Sequence, residues 1–225
     1  MADQLWFYFK TLCQGLPVTL SLSFSAIICA CLISIGFTVL LTFKNRLLNS
    51  VIKGYILLFT GTPLLVQIFL IYYGPVQFSH LQDQLPLLWS LLSHPWFCAF
   101  LALTLNSAAY TTQIFYGALK AIPQGQWQAC AVLGMNKRQT LKVILPYALK
   151  RALSTYSNEV IFVVKGTALA STITLLDVMG YNQYLMGNYY EFSIFILTGA
   201  IYLLINGLLS LMMRMIEKKA LTFEE

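Results

Sequence analysis

Five apolar runs, each long enough to cross a bilayer, constrain this 225-residue chain more than any other feature. They fall at about residues 18–43, 55–76, 96–119, 149–173 and 192–213. A helix needs roughly 20 predominantly apolar residues to span the hydrocarbon core. The chain is 58% hydrophobic and only 10% charged, too little charge to cover a soluble surface, so the composition excludes a soluble domain and indicates an integral membrane protein. No small-residue cleavage pattern follows the first run and no basic stretch precedes it, so it is expected to be a retained span.

The basic residues set the expected orientation. Lys44, Arg46 and Lys53 lie between the first two runs. Lys120, Lys137, Arg138, Lys142, Lys150 and Arg151 lie between the third and fourth, and Arg214, Lys218 and Lys219 follow the fifth. Twelve of the 14 Lys and Arg therefore fall on one side of a five-span chain, while residues 77–95 and 180–191 contain none. Positive charge marks the cytoplasmic side, which puts the N-terminus outside and the C-terminus inside. The net charge of +6 thus reflects topology, and nucleic-acid binding is not expected.

Cys13, Cys29, Cys31, Cys98 and Cys130 have no metal-ligand spacing and read as small packing residues. His80 and His94 are too isolated to suggest a metal site. Residues 1–14 carry Leu5, Trp6, Phe7, Tyr8 and Phe9 beside Asp3 and Lys10, a composition suited to a short helix at the membrane–water interface.

Three spans hold features that apolar packing does not require. Gly61-Thr62-Pro63 puts a breaker near the start of the second, where a kink or break is expected, with Gln67 one turn beyond Pro63. In the third, Asn106, Tyr110 and Gln113 are spaced by four and three and form a polar stripe next to Ser107. That stripe serves either helix–helix hydrogen bonding or the wall of a substrate pathway. In the fourth, Glu159 lies eight residues past Arg151, roughly 12 Å along a helix axis. An ionisable group at that depth is costly and faces a partner or a wet cavity. Lys165 sits on a different face from Glu159, whereas Gly166 shares its stripe. Glu159 either pairs with a neighbouring helix or meets a cationic group of a substrate; the second reading is preferred.

The segment 122–146, IPQGQWQACAVLGMNKRQTLKVILP, is polar and basic and lies between two spans. Pro123 can open a helix and Gly134 can close it. Asn136 can cap a second short helix running toward Leu145, stopped or kinked at Pro146. Two such helices at a sharp angle make a knob that fits a groove on a partner.

Gln128-Ala129-Cys130, Gly134 and Val143-Ile144-Leu145-Pro146 resemble the EAA–G–I-LP loop of ABC importer permeases. With TPLLVQIFLIYYG, LNSAAYTTQIFYGALKAIPQGQWQACAVLGM and YSNEVIFVVKGTALA, the likeness narrows to permeases for polar amino acids and covers nearly the whole chain. The resemblance implies an all-α, five-helix type I importer permease fold over residues 15–215, multi-pass in the bacterial inner membrane. Residues 1–14 would be an interfacial segment, 120–146 a cytoplasmic coupling loop and 216–225 a cytoplasmic tail.

It also implies roles. Gln128, Ala129, Cys130 and Gly134 would contact an ATP-binding subunit present as a homodimer. A periplasmic solute-binding protein would deliver substrate, and Asn106, Ser107, Tyr110 and Glu159 would line the pathway. The expected substrate is a polar or basic amino acid, arginine foremost, with glutamine, lysine, histidine and cystine as alternatives.

The chain departs from the family pattern in having Gln128 and Gln113 where Glu is usual, and Gly166 where Asp often follows the span-four Lys. A second, different permease subunit is expected to supply the fuller site. No G-x-x-x-x-G-K-[ST] loop is present, so this subunit is expected to be a non-enzymatic transport component that binds no cofactor, with ATP and Mg held by the partner. A proton-coupled carrier using Glu159 as its relay is the rival from another class, and it leaves the cytoplasmic loop unexplained.

Overall fold

A computed structural model describes residues 2–43, 45–78 and 80–221. Every regular element among them is helical. Helix α1 (Ala2–Cys13) leads through Gln14 and Gly15 into α2 (Leu16–Leu41), so that Asp3–Leu41 forms one 39-residue apolar stretch. Large apolar residues on α2 point outward, with Leu20, Phe24, Ile28 and Leu32 all exposed at intervals of four. Its buried face is mostly small or polar, Thr19, Ser23, Ala26, Ala30, Ser34 and Thr38, with Leu22 and Leu41 the two large apolar residues on it. This inversion suits a lipid surround, where close approach of small residues holds helices together and Leu gains nothing by turning inward.

The second run is broken as expected. Helix α3 (Arg46–Gly61) is capped by Asn45, whose side chain accepts from Leu48 N at 3.2 Å. It ends at Thr62-Pro63, and α4 (Leu64–Tyr73) leaves at 104°. A short 3-10 turn (Pro75–Gln77), α5 (His80–Gln84) and α6 (Pro86–Leu92) then lead to α7 (Pro95–Lys120), bent by 87° from α6. Helix α7 is the hub, packed on α2, α3, α4 and α9.

Helix α8 (Gln124–Val132) precedes α9 (Lys137–Gly166), which runs into a 3-10 segment (Thr167–Ile173). Helix α10 (Val178–Tyr189), at 48° to the preceding helix, and α11 (Ser193–Leu221) complete the bundle. By length and composition two of these helices are long and apolar enough to cross a membrane alone, and up to five crossings result if each bent pair counts as one.

Three expectations are corrected. The helix after Asn136 is neither short nor stopped at Pro146: it continues for 30 residues to Gly166. Pro146 removes only its own N–H from the ladder, and it lies on an exposed face where the freed Lys142 carbonyl is accessible. Lys142, Lys150 and Arg151, read as lying between the third and fourth spans, belong to the same helix as Glu159. Residues 180–191, expected to join two spans as a loop, are mostly α10.

Helix α10 is held by a buried node invisible in any local pattern. Asp177 caps it, one oxygen accepting from Gly180 N at 2.8 Å and the other from the Tyr202 hydroxyl on α11 at 3.2 Å. Val178 N donates to Thr19 Oγ1 on α2 at 3.2 Å. Gly15 makes this approach possible, because a Cβ there would collide with the Asp177–Val178 backbone. Tyr8 and Leu12 of α1 bury against the same part of the bundle, while Trp6 and Phe7 on the other side of α1 stay exposed.

Candidate functional site: a cavity at the helix break and a capped helical knob

The helix break creates a polar problem that α7 solves. Pro63 has no N–H, so the Phe59 carbonyl loses its helical donor, and the turn at 104° strands its neighbours as well. Gln67, only 5% exposed, donates from Nε2 to Phe59 O at 2.9 Å, Thr62 O at 3.1 Å and Thr62 Oγ1 at 2.7 Å. Asn106 on α7 donates to Phe59 O at 3.1 Å and to Gln67 Oε1 at 3.0 Å. The Tyr110 hydroxyl donates to Thr60 O at 3.2 Å. Broken backbone at membrane depth is tolerated where side chains re-satisfy it and where it borders a cavity. Both hold here: Asn106 and Tyr110 bond the broken segment, and both line a cavity beside it.

That cavity, about 320 Å³, lies where α4, α7 and α9 converge. Leu64, Leu103, Asn106, Ser107, Tyr110, Glu159, Phe162 and Val163 line it. Its size is near the lower end of the roughly 300–1,000 Å³ usual for small-molecule sites. Glu159 is 8% exposed, and no Lys or Arg among the described residues lines its cavity. The Ser107 side chain is placed to hydrogen-bond with the carboxylate.

Gln113 departs from the expected grouping. It borders a separate cleft with Lys53, Thr60, Thr112 and Tyr116. Gly166 lies against the cavity wall, where an added Cβ would come within 3.1 Å of Leu64 and of Leu103. A larger side chain at this position would require both leucine side chains to shift by a few tenths of an ångström. Lys165 points elsewhere, with its ammonium 5.7 Å from the Phe162 ring centroid. Gln67 was legible as a polar residue one turn past a proline; its amide network was not.

At the other end, α8 closes with Gly134 at φ +68°. Met135 N donates to Cys130 O at 3.1 Å and Gly134 N to Ala131 O at 3.0 Å, the paired bonds of a left-handed helix stop. Asn136 then opens α9 with a reciprocal cap: its side chain accepts from Gln139 N at 3.0 Å, and Gln139 Oε1 accepts from Asn136 N at 2.8 Å. Of the expected contact residues, Gln128 and Ala129 are exposed. Cys130 is buried among Leu119, Ile122, Ile144 and Ala148, so it anchors α8 to α9 rather than facing outward. Val132 and Leu133 were not singled out beforehand, yet they are 88% and 73% exposed. Two large apolar side chains at a helix end, beside a capping glycine, were the available signal. Lys137 ties the knob to the end of α2, donating to Thr42 O at 2.7 Å.

Broken helices around a cavity holding Asn106, Ser107, Tyr110 and Glu159, with an apolar-tipped knob between two long helices, are the arrangement of a membrane permease. Residues 26–222 match the family described as the binding-protein-dependent transport system inner membrane component, and the chain belongs to that family. It is 59% identical over 217 residues to the arginine ABC transporter permease protein ArtM of Escherichia coli (strain K12), covering 96% of this chain and 97% of that one. The ArtM of Haemophilus influenzae (strain ATCC 51907 / DSM 11121 / KW20 / Rd) is 53% identical, with 96% and 95% covered. Among solved structures, an amino acid ABC transporter crystallised with histidines gives a TM-score of 0.83 at 28% identity, covering 96% of this chain and 97% of that one. An inward-facing MetNI methionine ABC transporter shares the fold, with a TM-score of 0.75 at 17% identity and 93% and 96% covered. The chain is thus an inner-membrane permease subunit of an ABC importer, working with a binding protein and an ATPase.

Proposed function

We propose that this permease subunit carries arginine, and that Glu159 receives the cationic end of the substrate. The observation that carries the reading is a nearly buried carboxylate on a small cavity with no basic residue in its lining. A guanidinium supplies the missing charge and donors at once. Likeness to the two arginine permeases supports the same substrate. Asn106, Ser107 and Tyr110 present the remaining polar groups of the pathway.

The chain crosses the inner membrane five times, N-terminus outside, as the distribution of Lys and Arg supports. Residues 15–215 are the permease domain, between an interfacial segment (1–14) and a cytoplasmic tail (216–225). The coupling loop, about 120–146, meets one subunit of an ATPase homodimer through Gln128, Ala129 and the Gly134 turn, with Cys130 behind them; ATP and Mg are held there. A second, different permease chain completes the transporter, because Gly166 leaves Glu159 without a companion acid. ATP binding closes the ATPases, the knob moves as a lever, and the cavity opens alternately to the two sides.

The test is uptake by proteoliposomes holding the full transporter and its binding protein. Labelled arginine should accumulate only with internal ATP, should resist a protonophore, and should be displaced by unlabelled arginine more readily than by glutamine, lysine, histidine or cystine. Uptake abolished by the protonophore would support the proton-coupled rival instead, and stronger displacement by another amino acid would reassign the substrate.

A further inference from the structure

Two clefts meet α7 at successive positions of its polar stripe, Asn106 and Tyr110 lining one and Gln113 the other. The first is the cavity holding Asn106, Ser107 and Glu159; the second, also about 320 Å³, opens between α3 and α7 and is lined in part by Lys53, Thr60, Thr112, Gln113 and Tyr116. The second lies nearer the basic end of the helix, where Lys120 sits over the Tyr116 ring at 4.8 Å. Tyr110 stands at their junction. Its ring lines the first cleft, and its hydroxyl reaches Thr60 O, which belongs to a residue lining the second.

The carbonyl it uses is available because of the break. In an unbroken helix Thr60 O would accept from the N–H four residues on, but that residue, Leu64, begins α4 after the 104° turn. The Tyr110 bond therefore replaces a missing helical bond and can open without unravelling α3. A single neutral hydrogen bond is weak enough to be made and broken in every cycle.

We infer that Tyr110 is a latch between the substrate cavity and a vestibule on the cytoplasmic side: its bond to Thr60 holds the ring across the passage, and releasing it joins the two clefts. Gln113, three residues on and on the same stripe, is the next polar group along the route. The inference rests on the pathway reading above.

The experiment uses the assembled transporter in inside-out vesicles, free of nucleotide and substrate. Val163→Cys, at a 4% exposed position on the wall of the first cavity, places a reporter thiol there, and a membrane-impermeant maleimide is added at the cytoplasmic face. Labelling is read on the peptide containing position 163, which separates it from the five native cysteines. With Tyr110 in place labelling should be slow. Tyr110→Phe should raise its rate about fivefold, the population change that goes with losing one ordinary hydrogen bond, and Tyr110→Ala at least as much. Equal rates for Tyr and Phe would overturn the latch, whether or not Ala is faster, because the hydroxyl would then hold nothing. Fast labelling with Tyr110 present would overturn it as well. If Tyr110→Ala does not assemble, the Tyr110→Phe comparison still decides. No arginine or ATP is involved, so failed arginine uptake alongside Tyr110-dependent labelling would overturn the substrate reading alone.

Discussion

Glu159→Gln lowers the efficiency of arginine uptake by about ten- to a hundredfold, the range expected when a charge-assisted hydrogen bond of roughly 1.5–3 kcal/mol is lost. The amide keeps the shape of the side chain and can still meet Ser107, so the amount of assembled protein in the membrane should change little. Saturation kinetics of ATP-driven uptake, normalised to that amount, check the prediction. A structural acid predicts otherwise: uptake and assembled protein would fall together, and uptake per transporter would stay constant.

The second large effect is expected at the other end of the molecule. Gly134 has φ +68°, and no atom lies within 4 Å of where its Cβ would be. The penalty for a side chain there is thus conformational, about 1–2 kcal/mol for an ordinary residue and greater for a β-branched one. Gly134→Val should escape that strain by leaving the left-handed region, which undoes the bonds from Met135 N and Gly134 N and re-aims α8 against α9. Insertion and ATP hydrolysis should persist while uptake per ATP falls about tenfold or more, if roughly 1.4 kcal/mol or more of coupling is lost. Gly134→Asn should be mildest, since Asn enters the left-handed region most readily among non-glycine residues. The ratio of arginine accumulated to ATP hydrolysed is the measurement. Unchanged coupling in Gly134→Val would show that the turn does not set the lever's angle.

Local punctuation was legible in the sequence. Thr62-Pro63 breaks the second run because proline acts on its own turn, and Gly134 and Asn136 stop and start helices through bonds within six residues. The polar stripe of α7 was legible as a stripe. Its division was not: Asn106 and Tyr110 face the cavity while Gln113 faces the next cleft, because the bend at Pro63 decides which part of α3 or α4 each residue meets. Pro146 misled for the opposite reason. A proline's local cost was read as a stop or a kink; the helix does not stop, and continuing α9 buries Ala148 and Ala152 beyond it, packing that outweighs one lost bond.

Contacts between distant segments left no trace in periodicity. Thr19 and Val178 are 159 residues apart, and Asp177 looked like any acid in a connecting stretch. Cys130 matched a loop pattern, yet that pattern does not say which side of α8 faces the bundle; the apolar neighbours Leu119, Ile122 and Ile144 do.

Capture at Val132 tests the central claim, that an ATPase drives this chain through the knob. A photo-crosslinking amino acid placed at this 88% exposed position should, on illumination of intact cells, join the chain to an ATP-binding polypeptide. The same group at Phe24, on the outward face of α2, should not. Crosslinks from position 132 to lipid or to periplasmic proteins, with no ATP-binding partner among the products, would contradict the account.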